Sequence, residues 1–203
     1  MERILRDRNK KEIRSEMRAL RRSVTPSEQH LAAISLSRNI LKLQVFSGTR
    51  KIGAYLASDG EIDPLYIMIE SINRGKKCYV PVLAPGQKPR IRFGSFSMRS
   101  EMCFNQFGIL EPFVSQRSCV EPSKLDLILL PLVAFDLTGC RIGMGGGYYD
   151  ASLAAVASRK YWHKPRLLGL AHEFQRVEKL AADEWDIPLD GIVTNRGFYE
   201  AKS

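Results

Sequence analysis

The run Leu125-Asp-Leu-Ile-Leu-Leu-Pro-Leu-Val133 constrains the fold more than any other segment of this chain. A stretch so uniformly apolar cannot keep one face in water, so it reads as a strand buried on both faces, at the centre of a parallel sheet. Pro131 lies near its end. The segments around it fit that setting. Lys51 to Ala57 reads as a short buried strand, Asp63-Pro64 opens a helix that stops near Gly75, and Lys77 to Val82 reads as the next strand. Strand-helix-strand units of this kind build parallel sheets covered by helices. Arg90 to Phe96 is expected as an irregular edge strand, Tyr148 to Ser158 as a helix, Arg166 to Ala171 as a strand and Ile192 to Thr194 as a last short strand. The expected class is α/β, a three-layer α/β/α sandwich with a mostly parallel central sheet.

Two helices precede the first strand. Ile13, Met17 and Leu20 fall at i, i+4 and i+7, a narrow apolar stripe on a helix from about Arg6 to Arg22. Thr25-Pro-Ser-Glu28 carries the capping-box pattern with proline at the first helical position, so a second helix should run to about Leu43. At 203 residues, 44% hydrophobic, the chain can bury a core and is expected to form one domain over residues 1–203. No long apolar run exists and the start is charged, which leads to the expectation of a soluble, cytoplasmic protein with no membrane partner. Cys78, Cys103, Cys119 and Cys140 are scattered, with neither zinc-ligand nor disulfide-framework spacing.

Between the central strand and the Tyr148 helix lie Gly143, Gly145, Gly146 and Gly147. Glycines let backbone N–H groups converge on an anion, and the following helix adds free N–H groups and the positive end of its dipole. Phosphate is the expected ligand. The segment is neither a P-loop nor a dinucleotide fingerprint, because the lysine of the first and the last glycine of the second are missing. Asp150, in the first turn of the helix, would repel phosphates unless magnesium lay between them, or it could simply be stabilised by the helix N-terminus. Of the histidines only His172 falls just after a predicted strand, where open α/β sheets place their sites. Trp162 and Trp185 are expected to pack. The net charge of +9 implies an anionic partner, and much of it sits near the N-terminus: Arg3, Arg6, Arg8, Lys10, Lys11, Arg14, Arg18, Arg21 and Arg22.

The stretches Leu130-Pro-Leu-Val-Ala-Phe-Asp136 and Gly139-Cys-Arg-Ile-Gly-Met-Gly-Gly-Gly-Tyr-Tyr-Asp150 resemble the signature of the 5-formyltetrahydrofolate cyclo-ligase family. Lys10 and Arg14, Thr25 to Glu28, Tyr55 to Asp63 and Glu184 to Asp190 extend the resemblance along the chain. Met144 departs from it, standing where many members carry a basic residue, and Gly146 replaces a lysine found in some. The resemblance implies a magnesium-dependent reaction of ATP with 5-formyltetrahydrofolate that gives 5,10-methenyltetrahydrofolate, ADP and phosphate. It implies ATP contacts at Lys10, Arg14, Arg141, Gly143, Gly145, Gly146, Gly147, Tyr148 and Tyr149, with Arg141 and Tyr148 catalytic. It further implies folate contacts at Leu56, Glu61, Met144, Gly145, Gly146, Gly147 and Tyr148, and magnesium at Asp150 and Asp190. The residues alone leave two alternatives open: a sugar-phosphate enzyme of related architecture, and a nucleic-acid-binding module built on the basic first helix.

Overall fold

The computed structural model describes residues 9–86, 89–157 and 165–201. Three helices lead the chain: α1 (Lys10–Ser23), α2 (Pro26–Leu41) and the single turn α3 (Gln44–Ser47). Strand β1 (Lys51–Gly53), helix α4 (Leu65–Asn73) and strand β2 (Lys77–Leu83) form the expected strand-helix-strand unit. Next come β3 (Ile91–Phe96) and a small hairpin, β4 (Met102–Phe104) with β5 (Leu110–Pro112). The apolar run supplies β6 (Leu127–Pro131). A second hairpin, β7 (Ala134–Phe135) with β8 (Arg141–Ile142), leads into the glycines, helix α5 (Tyr148–Ala157) and β9 (Arg166–Ala171). β10 (Gly191–Thr194) and β11 (Phe198–Glu200) close the chain.

One seven-stranded sheet has the order β11-β10-β9-β6-β1-β2-β3. The five inner strands are mutually parallel, and β3 and β11 are antiparallel edges. β6 is central, as its composition demanded, and Leu127 through Leu130 are fully buried. Alternation along it divides the core. Leu127 and Leu129 face α2, α3 and α4 together with Ile52, Leu36 and Met68, while Ile128 and Leu130 face α5 through Leu153. Each such leucine removed from water contributes about 2 kcal/mol. Helices thus cover both faces, giving the three-layer α/β arrangement.

The capping box of α2 is present: Thr25 Oγ1 accepts from the Glu28 amide and the Glu28 carboxylate accepts from the Thr25 amide. The expected strand from Lys51 to Ala57 stops at Gly53; further on, Asp59 (φ 48°) and Gly60 (φ 73°) turn the chain. β11 carries no distinctive sequence signal and was not anticipated. The apolar stripe of α1 also differs from expectation. Its buried residues are Ile13, Met17 and Arg21, whereas Leu20 is exposed. Trp185 is exposed rather than packed; Trp162 and His163 lie outside the described residues. The four cysteines are free thiols, and burial pushes Cys78 up to about 11, away from nucleophilic use. Among the described residues no helix is long and apolar enough to cross a membrane.

Candidate functional site

The carboxyl ends of β1, β6 and β9 open into three loops, and open α/β sheets bind ligands at this edge. The loop after β6 is built first. Asp136, fully buried, accepts hydrogen bonds at Oδ1 from Thr138 N (2.9 Å), Thr138 Oγ1 (2.6 Å) and Cys140 N (3.2 Å), and at Oδ2 from Leu180 N (2.8 Å). These bonds turn the β7–β8 hairpin and bring Gly143 back beside the end of β6. Gly145 (φ 97°) and Gly147 (φ 67°) occupy the left-handed region that favours glycine; Gly143 and Gly146 do not. A Cβ added at Gly143 or Gly147 would meet nothing within 4 Å, so this backbone faces open space. Met144 to Gly147 are exposed, and the first turn of α5 follows directly.

Helix α1 lies against this segment through Ile13 and Met17, which pack with Val133, Ala134 and Ile142. Its cations then fall in a row. Lys10 Nζ pairs with Asp183 (2.7 Å) and Asp186 (3.2 Å). Desolvation alone would lower its pKa, but the two carboxylates raise it. Arg14 Nε donates to the Gly143 carbonyl at 2.8 Å and passes beside Gly145. Of the i, i+4 pair, Arg14 touches the glycine segment, while Lys10 is held by the 183–186 turn.

Arg141 is buried. Its Nη2 donates to Asp150 Oδ1 at 2.5 Å and its Nη1 to the Ile187 carbonyl, so it acts by holding Asp150. The same Oδ1 accepts the Ile187 amide at 3.3 Å, while Oδ2 has no hydrogen-bond partner among the described residues. Asp150 thus offers one carboxylate oxygen. Asp190 does not join it. It sits at the opposite, amino end of the strands, where Oδ2 accepts from Leu167 N at 2.6 Å and Oδ1 pairs with Arg166 at 3.4 Å. The structure thus does not bring the two expected magnesium aspartates together. No group of three or more metal-capable side chains occurs among the described residues.

Tyr148 is half-buried against the α5 face of the core, with Phe107 of the β4–β5 hairpin edge-on to its ring at 5.6 Å. Tyr149 is also half-buried, and burial, with Glu61 nearby, holds its hydroxyl protonated. Glu61 accepts from Ser58 N at 3.1 Å. Desolvation raises its pKa, and the Ser58 amide and Arg21 oppose that rise only in part. Leu56 packs against the α2 and α4 side of the core.

The residues that sequence reasoning missed are those that tie α1 to the loop after β1. Arg18 Nε (2.7 Å), Arg21 Nη2 (2.9 Å) and Arg22 Nη2 (2.6 Å) converge on Asp59. Although desolvation opposes it, this cluster lowers the Asp59 pKa to about 2. The Arg21 side chain is wholly buried; it also lies 3.8 Å from Glu61 Oε1 and 3.4 Å from the Leu132 carbonyl, with Met144 Sδ at 3.9 Å. His172, after β9, is buried with Nε2 unpaired among the described residues. Desolvation, helped by the Arg21 charge, pulls its pKa down to about 4. A signal existed: Ile13, Met17 and Arg21 continue the i, i+4 spacing of the buried face.

Fold and site together define an α/β protein with a glycine-lined, cation-flanked site at the carboxyl ends of parallel strands. The profile of the 5-formyltetrahydrofolate cyclo-ligase family matches residues 6–195. The chain is 34% identical over 186 residues to the 5-formyltetrahydrofolate cyclo-ligase of Escherichia coli K12, covering 91% of this chain and 99% of that one. It is 35% identical to the enzyme of that name from Haemophilus influenzae, over 91% of this chain and 96% of the other. The NMR structure of Aquifex aeolicus 5,10-methenyltetrahydrofolate synthetase superposes with a TM-score of 0.79 at 29% identity, covering 96% of this chain and 93% of that one. The Mycoplasma pneumoniae 5,10-methenyltetrahydrofolate synthetase shares the fold, with a TM-score of 0.70 at 21% identity over 93% of this chain and 99% of that one. This chain belongs to the 5-formyltetrahydrofolate cyclo-ligase family, a family of ligases.

Proposed function

We propose that this chain converts 5-formyltetrahydrofolate to 5,10-methenyltetrahydrofolate, using ATP and releasing ADP and phosphate. The observation that carries the reading is the arrangement around the glycine segment. Open backbone at Gly143 and Gly147 precedes a helix N-terminus, Arg14 lies alongside, and Asp150 stands in the first turn. That combination suits a nucleoside triphosphate, with Lys10, Arg14, Gly143, Gly145 to Gly147, Tyr148 and Tyr149 as its contacts.

Asp150 is suited to magnesium, because Arg141 engages one of its oxygens and leaves the other to a cation. When bound, magnesium would neutralise charge on the phosphates, and one protein carboxylate with phosphate oxygens is a usual ligand set for it. On the other side of the glycine segment, Glu61 would accept from ring N–H groups of the reduced pterin, with Leu56, Met144 and Tyr148 against the folate. In the proposed sequence the formyl oxygen attacks the γ-phosphorus, the bond to the ADP oxygen breaks, and nitrogen 10 attacks the activated formyl carbon. Phosphate then leaves, and nitrogen 10 gives up its proton to the phosphate or to water, as the ring closes. Little covalent chemistry falls to the protein, whose residues position two anions and balance their charge.

The test is the near-ultraviolet absorbance of the methenyl product, followed together with phosphate release. Signal is expected only when magnesium-ATP and 5-formyltetrahydrofolate are both present, at one phosphate per product. Folded protein that gives no product would refute the assignment. Lys10, Arg14, Arg18, Arg21 and Arg22 of α1 are engaged with internal carboxylates and the Gly143 carbonyl, so no observation favours the nucleic-acid reading over this one.

A further inference from the structure

Arg21 stands where four separate parts of the chain meet. The last turn of α1 supplies it, the loop after β1 supplies Asp59 and Glu61, the end of the central strand supplies the Leu132 carbonyl, and the glycine segment supplies Met144. Its side chain is wholly buried and its Nε has no partner among the described residues. A buried guanidinium is retained at a cost in desolvation unless its partners compensate for it. Here the partners are two carboxylates of one tight turn. The turn itself is shaped to the arginine. Gly60 has φ 73°, and a Cβ there would lie 2.8 Å from the Arg21 carbonyl oxygen, so only glycine allows α1 to approach so closely. Asp59, beside it, holds a positive φ of 48°, which aspartate tolerates better than most residues, and three arginines of α1 pair with its carboxylate there.

We propose that Arg21, locked in place by Asp59, is a positioning residue that fixes the 58–61 turn and thereby orients the Glu61 carboxylate toward the folate; the inference rests on the substrate reading above. The groups facing Glu61 are Arg21 from α1, Asp59 from its own loop, Tyr55 from the end of β1 and Tyr149 from α5. Arg21 is the only cation among them. It lies 3.8 Å from Glu61 rather than in close contact, so it attracts the carboxylate without consuming its acceptor capacity. The same helix holds Gly143 through Arg14, and α1 thus spans the nucleotide and folate sides with different residues.

The test uses the intact chain with Arg21→Lys, Arg21→Met, Asp59→Asn, Glu61→Gln and the Asp59→Asn/Glu61→Gln double variant. Equilibrium binding of 5-formyltetrahydrofolate is measured by calorimetry, with the KM for each substrate and the thermal midpoint alongside. Arg21→Met and Asp59→Asn are expected to weaken folate binding about tenfold while the KM for magnesium-ATP stays within about twofold, a split that general damage would not produce. Arg21→Lys should recover most of the loss. The double variant should bind no worse than Glu61→Gln alone, since the proposed role of Asp59 passes through Glu61. Should Arg21→Met fail to fold, Asp59→Asn and Arg21→Lys still decide. Folate binding unchanged in folded Asp59→Asn, or losses that add in the double variant, would overturn the proposal. Wild-type protein that binds no folate would instead refute the substrate reading beneath it.

Discussion

Substituting Asp150 with asparagine separates a structural debt from a catalytic one. Asp150 Oδ1 receives Arg141 Nη2 at 2.5 Å, and the side chains are 28% and 6% exposed respectively. Breaking a fully buried pair costs about 3–5 kcal/mol because the remaining charge stays uncompensated, whereas an exposed pair is worth roughly 0–1 kcal/mol. Arg141 is buried but its partner is half-open, and asparagine keeps an oxygen that can still accept from Ile187 N. The expected loss is therefore intermediate, about 2 kcal/mol. With a urea dependence of about 2 kcal/mol per molar, the midpoint should fall by about 1 M, and the melting temperature by roughly 4–8 °C. Turnover measured well below that temperature should fall much further than stability does, and added magnesium should not restore it. A urea midpoint that does not move would show that Arg141 is balanced by something other than Asp150. Full activity at an unchanged magnesium requirement would remove Asp150 from the site.

Three further outcomes follow from the same geometry. His172 has a folded pKa near 4 against an ordinary 6.5, so the folded state resists protonation that the unfolded chain accepts. Its contribution is present above pH 6.5 and is lost as pH falls toward 4, a slope worth roughly 3 kcal/mol; His172→Gln should flatten it in urea titrations across that window. Asp59 is depressed from 3.8 to about 2, so its contribution is present above 3.8 and is lost as pH falls through about 2; Asp59→Asn should remove that acid limb from thermal melts. Gly60→Ala would force a Cβ to 2.8 Å from a backbone oxygen at φ 73°, and a loss of at least about 2 kcal/mol in denaturant unfolding is expected.

The sheet was legible in the sequence because its inner strands are buried on both faces and must be apolar throughout, so Leu125 to Val133 announces β6 without any partner in view. The α2 cap was legible for the opposite reason: its chemistry closes within four residues. The loop after β1 was not, since its path depends on α1, and a strand signal running into Ala57 says nothing about a turn imposed from outside. Around the candidate site the glycine segment, its Asp150 and the shared helix face of Lys10 and Arg14 could be read locally. Arg21 was signalled only by its spacing after Ile13 and Met17, since an arginine completing an apolar stripe looks like an exposed charge until Asp59 and Glu61 are seen opposite it. The surroundings of Asp190 were hidden for a similar reason. An acid near a motif gives no hint that its oxygens are committed to Leu167 and Arg166 at the far end of the sheet.

The bond from Arg14 to the Gly143 carbonyl joins positions 129 residues apart. A ribosome must therefore complete most of the chain before Arg14 can close this bond; until then α1 holds the loop after β1 through Asp59. The same arrangement exposes a vulnerability. A protease that trims the first 22 residues would leave every strand of the seven-stranded sheet intact, yet would remove Lys10, Arg14 and Arg21 together. Such a fragment could keep the architecture of a ligase while losing the helix that makes its two substrate sides one site.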